Sequence, residues 1–185
     1  MRHRRTLAMV GMGVIALQGC AAIPHHSRAE VLPHFFQVDA NLYRGGQPTA
    51  EGFRSLSERG IKTVIDLRAE HSFHRRQEQR LVESLGMQWE YLPMRSYWRP
   101  SPAQVEAFLK IVTDPQRQPV FIHCRKGEDR AGVLVAVYRV VEQGWEPRQA
   151  YAEARSLGLA AWNPLLRAVI FNARRRDANT AIDPR

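Results

Sequence analysis

The chain has 185 residues, 44% of them hydrophobic, and a formal charge of +9. That length and apolar content give one globular domain with a full core. The charge favours anionic partners such as phosphorylated proteins, phosphoinositols or lipid headgroups, while no basic helix or aromatic-spaced basic stripe supports nucleic acid.

The first nineteen residues carry three arginines and no acid. Met1 to Arg5 is a positive leader, and Leu7 to Leu17 is an apolar run, too short to span a bilayer but suited to a signal peptide. It ends at Gly19-Cys20, which resembles a bacterial lipoprotein cleavage box. The expectation is cleavage before Cys20 and lipidation of its thiol. That places the mature protein at the bacterial cell envelope, lipid-anchored and facing the periplasm, or secreted. Cys20 and Cys124 are the two cysteines, so an acylated Cys20 leaves Cys124 without an intramolecular disulfide partner.

Residues 20–34, with His25, His26 and His34 in no periodic order, read as a solvated tether; no second cluster completes a histidine metal site. Phe35 to Val38 reads as a strand and Arg44 to Pro48 as a turn. Thr49 caps a helix over 50–59, stopped by Gly60. Thr63 to Leu67 is a central strand. His71 to Arg80 is densely charged and reads as a solvated face, with a helix over 75–85 ending at Gly86. Met87 to Leu92 is a third strand. Ser101, Pro102 and Gln104 open a helix whose Val105, Phe108, Leu109 and Val112 share one stripe. Val120 to Ile122 is a buried strand, and 131–143 a helix apolar on nearly every side. Helices over 147–157 and 164–173 follow. The domain then spans 35–174, and 175–185 reads as a disordered tail. Strands alternating with helices predict an α/β single domain with a central, mainly parallel sheet of about four to five strands flanked by helices.

The stretch that organises the chain is His123-Cys124-Arg125-Lys126-Gly127-Glu128-Asp129-Arg130. At this composition His-Cys-x-x-Gly-x-x-Arg arises by chance on the order of 0.001 times. A strand leads in and a helix leads out. Such a loop wraps a phosphate with its backbone N–H groups, and the helix presents its positive end to the same point. Those fields favour a nucleophilic thiolate at Cys124. Arg130 can fork onto two phosphate oxygens, and Lys126 adds positive potential at the rim. Arg125, Lys126, Gly127, Glu128, Asp129 and Arg130 are the candidate phosphate-binding residues. His123 supports the loop, or is a satisfied core histidine.

This loop resembles that of the cysteine-based protein tyrosine phosphatase superfamily. Asn41 to Pro48 and Gly60 to Arg68 are similar to the opening of its dual-specificity-like branch, namely the bacterial exported phosphatases and the fungal and plant inositol-pyrophosphate-cleaving enzymes. The resemblance runs from about Phe36 to about Gly158. It implies a dual-specificity phosphatase-like fold, attack of Cys124 on phosphorus, and no metal or organic cofactor. It also suggests that Arg68 lines the pocket; a structural ion pair is the alternative.

Two positions depart from that pattern. Family members usually protonate the leaving group from an aspartate on an upstream loop, and the matching stretch, Pro93 to Pro100, holds no carboxylate. Asp129 is the substitute candidate acid, Glu128 the second, with Asp129 as a loop brace the competing role. Ala131 stands where the family has a hydroxyl that eases thiolate departure, so slow breakdown of a phosphocysteine and a product burst are expected. The expected protein is a monomeric phosphatase for phosphotyrosine or phosphoserine/threonine proteins or phosphoinositols, touching the membrane through a lipid on Cys20. A phosphate-binding pseudophosphatase without turnover is the rival.

Overall fold

A computed structural model describes residues 31–69 and 72–175. The leader, Cys20, His25, His26 and residues 176–185 lie outside the described residues. Among the described residues no helix is long and apolar enough to cross a membrane.

Five strands form one sheet: β1 (Phe36–Gln37), β2 (Leu42–Gly45), β3 (Thr63–Arg68), β4 (Gln88–Met94) and β5 (Val120–His123), in the order β1-β2-β5-β3-β4. β1 runs antiparallel to β2, and the other pairings are parallel. The helices are α1 (Ala50–Glu58), α2 (Ser72–Ser84), α3 (Pro102–Val112), α4 (Asp129–Val141), α5 (Pro147–Ser156) and α6 (Pro164–Asn172).

Side chains alternate across the strands and so divide the core into two layers. Val64 and Phe121 face one layer with Phe53 and Leu56 of α1 and Val82 of α2. Ile65, Leu67, Val120 and Ile122 face the other, with Phe108 and Leu109 of α3 and most of α4. α4 is buried from Arg130 to Val141 because helices pack on it from both sides of the chain. Ser101 and Gln104 form the expected capping box on α3.

The structure corrects the sequence reading in three places. Arg44 and Gly45, read as a turn, belong to β2, which β5 holds in register from Leu42↔Val120 to Gly45↔His123; the turn begins at Gly46. The tether reading of 20–34 gives way at its end: Leu32 is buried, and the carbonyls of Val31 and Pro33 accept from Thr49 and Gly46 N–H. α4 begins at Asp129 rather than Ala131, which puts Asp129 and Arg130 in its first turn.

Register decides where the site can be. Gly45, Asp66 and His123 are paired across β2, β5 and β3 at the carboxyl ends of three parallel strands. In open α/β sheets that edge is where ligands bind.

Candidate active site

β5 ends in His123, and the chain turns at once into the loop 124–128 before α4. Gly127 has φ +84, and a side chain there would collide with Gly45 and Gly46, so only glycine lets the loop lie this close to β2. The Gly127 N–H points back at Cys124 Sγ, 3.2 Å away. Glu128, the residue before α4, makes no side-chain capping bond, so its carboxylate does not take up the first amides of the helix. Arg130 Nη1 donates to the Met94 carbonyl at 3.3 Å, which swings its guanidinium over the loop.

A cavity of about 170 Å³ sits on this arrangement, lined by Ser96, Tyr97, Cys124, Arg125, Lys126, Asp129 and Arg130. A buried thiol, an inward amide, a helix N-terminus and an arginine fork converge there. That combination binds a tetrahedral oxyanion and places sulfur against its centre.

The loop is gripped from behind. Arg44, 2% exposed, donates through Nη2 to the carbonyls of Gly127 and of Glu128, the latter at 3.2 Å. Holding those carbonyls on the far side leaves the amides for the pocket. Burial pushes the Arg44 guanidinium down to about 10, against the attraction of Cys124, so it stays charged at neutral pH. Gly132 on α4 leaves room for it, since a Cβ there would lie 3.2 Å from Nη2.

Glu78 is the second anchor. Its Oε1 accepts from Trp89 Nε1 at 3.1 Å and pairs with His123 Nε2 at 3.0 Å. Its Oε2 accepts from Gln47 Nε2 at 2.8 Å and Arg68 Nη2 at 2.6 Å. Burial alone would raise this carboxyl; His123, Arg68 and Gln47 outweigh it and hold the group at about 2. The carboxylate can only accept, so the His123 proton toward it is on Nε2. Arg68 closes the chain by bonding both oxygens of Asp66, at 2.8 and 2.9 Å. Ligand atoms of Asp66, Glu78 and His123 lie within 4.8 Å of one another, a spacing a metal could use. The Arg68 guanidinium already bridges the two carboxylates and supplies the positive charge.

A family model described as a DSP-PTPase phosphatase fused to NAD+ kinase matches residues 26–161. The chain belongs to this phosphatase family. It is 26% identical over 172 residues to the dual specificity protein phosphatase TpbA of Pseudomonas aeruginosa strain UCBPP-PA14, covering 84% of this chain and 76% of that protein. It is 30% identical over 107 residues to NAD kinase 2, chloroplastic, of Arabidopsis thaliana, where 56% of this chain matches 11% of that protein. The chain thus spans a small part of that relative's length. The core catalytic domain of the PP-IP phosphatase SIW14 from Saccharomyces cerevisiae superposes with a TM-score of 0.67 at 25% identity, over 76% of this chain and 85% of that one. The protein is a tyrosine/dual-specificity phosphatase-like hydrolase.

Within this phosphatase the expected site residues divide. Cys124, Arg125, Lys126, Asp129 and Arg130 meet at the pocket. Gly127 shapes it through its backbone. Glu128 turns away: its carboxylate lies 3.5 Å from His34 Nδ1 and 3.9 Å from Lys126 Nζ, outside the pocket lining. Asp129 is both pocket residue and brace, since Oδ1 accepts the Ala160 N–H at 2.8 Å. Arg68 pairs with Asp66 and Glu78 and is not among the residues lining the Cys124 pocket. Ala131 is fully buried in the core.

Two functional positions were missed. Glu78 sits in the charged stretch read as a solvated face, yet only 6% of it is exposed; the signal was Glu78, Val82 and Leu85 at one-turn spacing, which puts Glu78 on the inward stripe. Arg44 lies in the family-like stretch 41–48, but nothing local marks an arginine on a strand as buried.

Proposed function

We propose that this phosphatase hydrolyses phosphate monoesters through a phosphocysteine at Cys124. The observation that carries the reading is the convergence of Sγ, the Gly127 amide, the α4 N-terminus and Arg130 on one small cavity. Sγ of the thiolate attacks phosphorus in line, and the bond from phosphorus to the leaving oxygen breaks. The loop amides and Arg130 take up the charge on the three equatorial oxygens. Asp129 is our proton donor. Ala160 occupies Oδ1, which leaves Oδ2, unpartnered among the described residues, to protonate the leaving oxygen. Water then attacks phosphorus and gives its proton back to Asp129, the S–P bond breaks, and phosphate leaves. With Ala131 offering no hydroxyl to the departing thiolate, the second step is the slow one. We assign no metal or organic cofactor to these steps.

The relatives point to phosphoproteins and inositol pyrophosphates as substrate classes, through TpbA and SIW14 respectively. The lipoprotein-like box at Cys20 supports anchoring of a monomer at the bacterial envelope; labelled palmitate incorporated by the full chain and lost in Cys20→Ser checks that placement.

Para-nitrophenyl phosphate, whose leaving group needs little acid help, tests the catalytic reading. Turnover in reductant that Cys124→Ser abolishes is the expected result. Folded protein that binds vanadate yet releases no nitrophenol contradicts it and favours the pseudophosphatase, for which the carboxylate-free 95–100 loop is the specific evidence.

A further inference from the structure

Among the described residues the exposed large hydrophobic side chains are Tyr97, Trp98 and Trp162, at 54%, 55% and 68%. All three belong to one surface. Tyr97 lines the catalytic pocket, and the Trp162 ring lies 5.3 Å from the Tyr97 ring. Trp98, the next residue along, lines a second cavity of about 750 Å³. This groove lies between the 95–100 loop and α3, α4 and α6. Its apolar lining includes Val105, Val137, Val141, Leu165, Ala168 and Val169. Arg95 and Arg99 stand exposed at its loop edge, with no ion-pair partner among the described residues. Glu106 is the one acidic lining residue, and it already has an interaction of its own.

One short loop therefore walls both cavities: Ser96 and Tyr97 face the catalytic pocket, while Arg95, Trp98 and Arg99 face the groove. Contiguous exposed aromatics beside an apolar groove mark a surface that another molecule covers. An extended polypeptide advances about 3.3 Å per residue, so a few residues carry it from a phosphorylated side chain in the pocket, across Tyr97 and Trp98, into the groove. A small phosphorylated sugar fills the pocket and leaves all of this bare. The apolar lining asks for apolar side chains, and the two arginines ask for acidic ones.

We infer that the groove docks the protein segment flanking the phosphorylated residue, with apolar side chains between α3, α4 and α6 and acidic side chains facing Arg95 and Arg99. The inference rests on the phosphatase reading of the Cys124 pocket and narrows its substrate to phosphoproteins of that flanking character.

The test compares two phosphotyrosine peptides, one with apolar and acidic flanks and one with glycine-serine flanks, on the full chain. The unaltered protein should prefer the first in kcat/KM. Arg95→Glu/Arg99→Glu should erase about tenfold of that preference through KM, as two rim ion pairs lost and reversed would, while kcat/KM for para-nitrophenyl phosphate stays unchanged. Ala168→Trp, which fills the groove without changing charge, should do the same. Equal kcat/KM for both peptides, or a preference untouched by these variants, overturns the inference. Calorimetry with Cys124→Ser and the same peptides reads docking without turnover. Absent nitrophenol release would then sink the catalytic reading, while the two Kd values still decide docking. If the double variant instead loses binding to anionic phospholipid vesicles and keeps both peptide affinities, the groove is a lipid site and the inference fails.

Discussion

Behind the Cys124 loop, Glu78 meets four N–H groups, one of them on the fully buried His123, and Arg44 holds two loop carbonyls. In front of it, Tyr97, Trp98 and Trp162 stand in solvent, and Tyr97 takes a φ of +60 that nonglycine residues seldom adopt. The back is overdetermined: each group there fixes a neighbour, and the loop is held with the Gly127 amide inward. The front is tied more lightly, chiefly by Asn163, whose Nδ2 donates to the Tyr97 carbonyl at 2.9 Å while its Oδ1 caps α6. The Cys124 pocket is thus held from behind, and the aromatic surface in front of it is left accessible.

The contrast can be broken hardest from behind. Glu78→Ala leaves His123, Arg68, Gln47 and Trp89 facing an empty site and should cost about 3–5 kcal/mol, the range for breaking a buried pair. Thermal unfolding measures this, and an unchanged Tm would mean the network carries no stability. The same group sets an acid limit. Its folded value of about 2 lies below its ordinary 4.5, so its stabilisation is complete above about 4.5 and is lost as pH falls toward 2. Chemical denaturation at pH 6 and pH 3 should show this loss, and Glu78→Ala should lack that part of it.

At the pocket itself, Asp129→Asn should lower kcat about 10²-fold on alkyl phosphates, as removal of a general acid does, and far less on para-nitrophenyl phosphate. Equal losses on both would make Asp129 a brace alone. The smallest effect belongs to the front. Asn163→Ala removes the α6 cap and the hold on Tyr97 and should cost about 1 kcal/mol. It should raise KM for peptides more than for para-nitrophenyl phosphate, which tests whether the front surface is shared with substrate.

Much of this was legible in the sequence because it is local. Cys124, Gly127 and Arg130 lie within seven consecutive residues, and the strand and helix around them follow from apolar runs, so the sequence alone brings them together at one strand–helix junction. The α3 capping box is equally local, written in Ser101 and Gln104. What stayed hidden depends on long-range pairing. Arg44 and Gly45 read as part of a turn because only pairing with the neighbouring strands makes them the end of β2. Glu78 looks solvated because its partners come from positions as distant as Gln47 and His123. Glu128 looks like a pocket acid because its side chain lies beside His34 and Gly158, both distant in the chain.

Rapid quench detects the phosphoryl group proposed on Cys124. The protein from Ala21 onward is mixed with para-nitrophenyl phosphate, stopped in acid within the first turnover, and analysed by intact mass and peptide mapping. A burst of nitrophenol matched by one phosphoryl group on the Cys124 peptide is the expected result, with Ala131→Ser shortening its lifetime. Nitrophenol released steadily with no phosphoryl group on that peptide, and with Cys124→Ser still active, would contradict it.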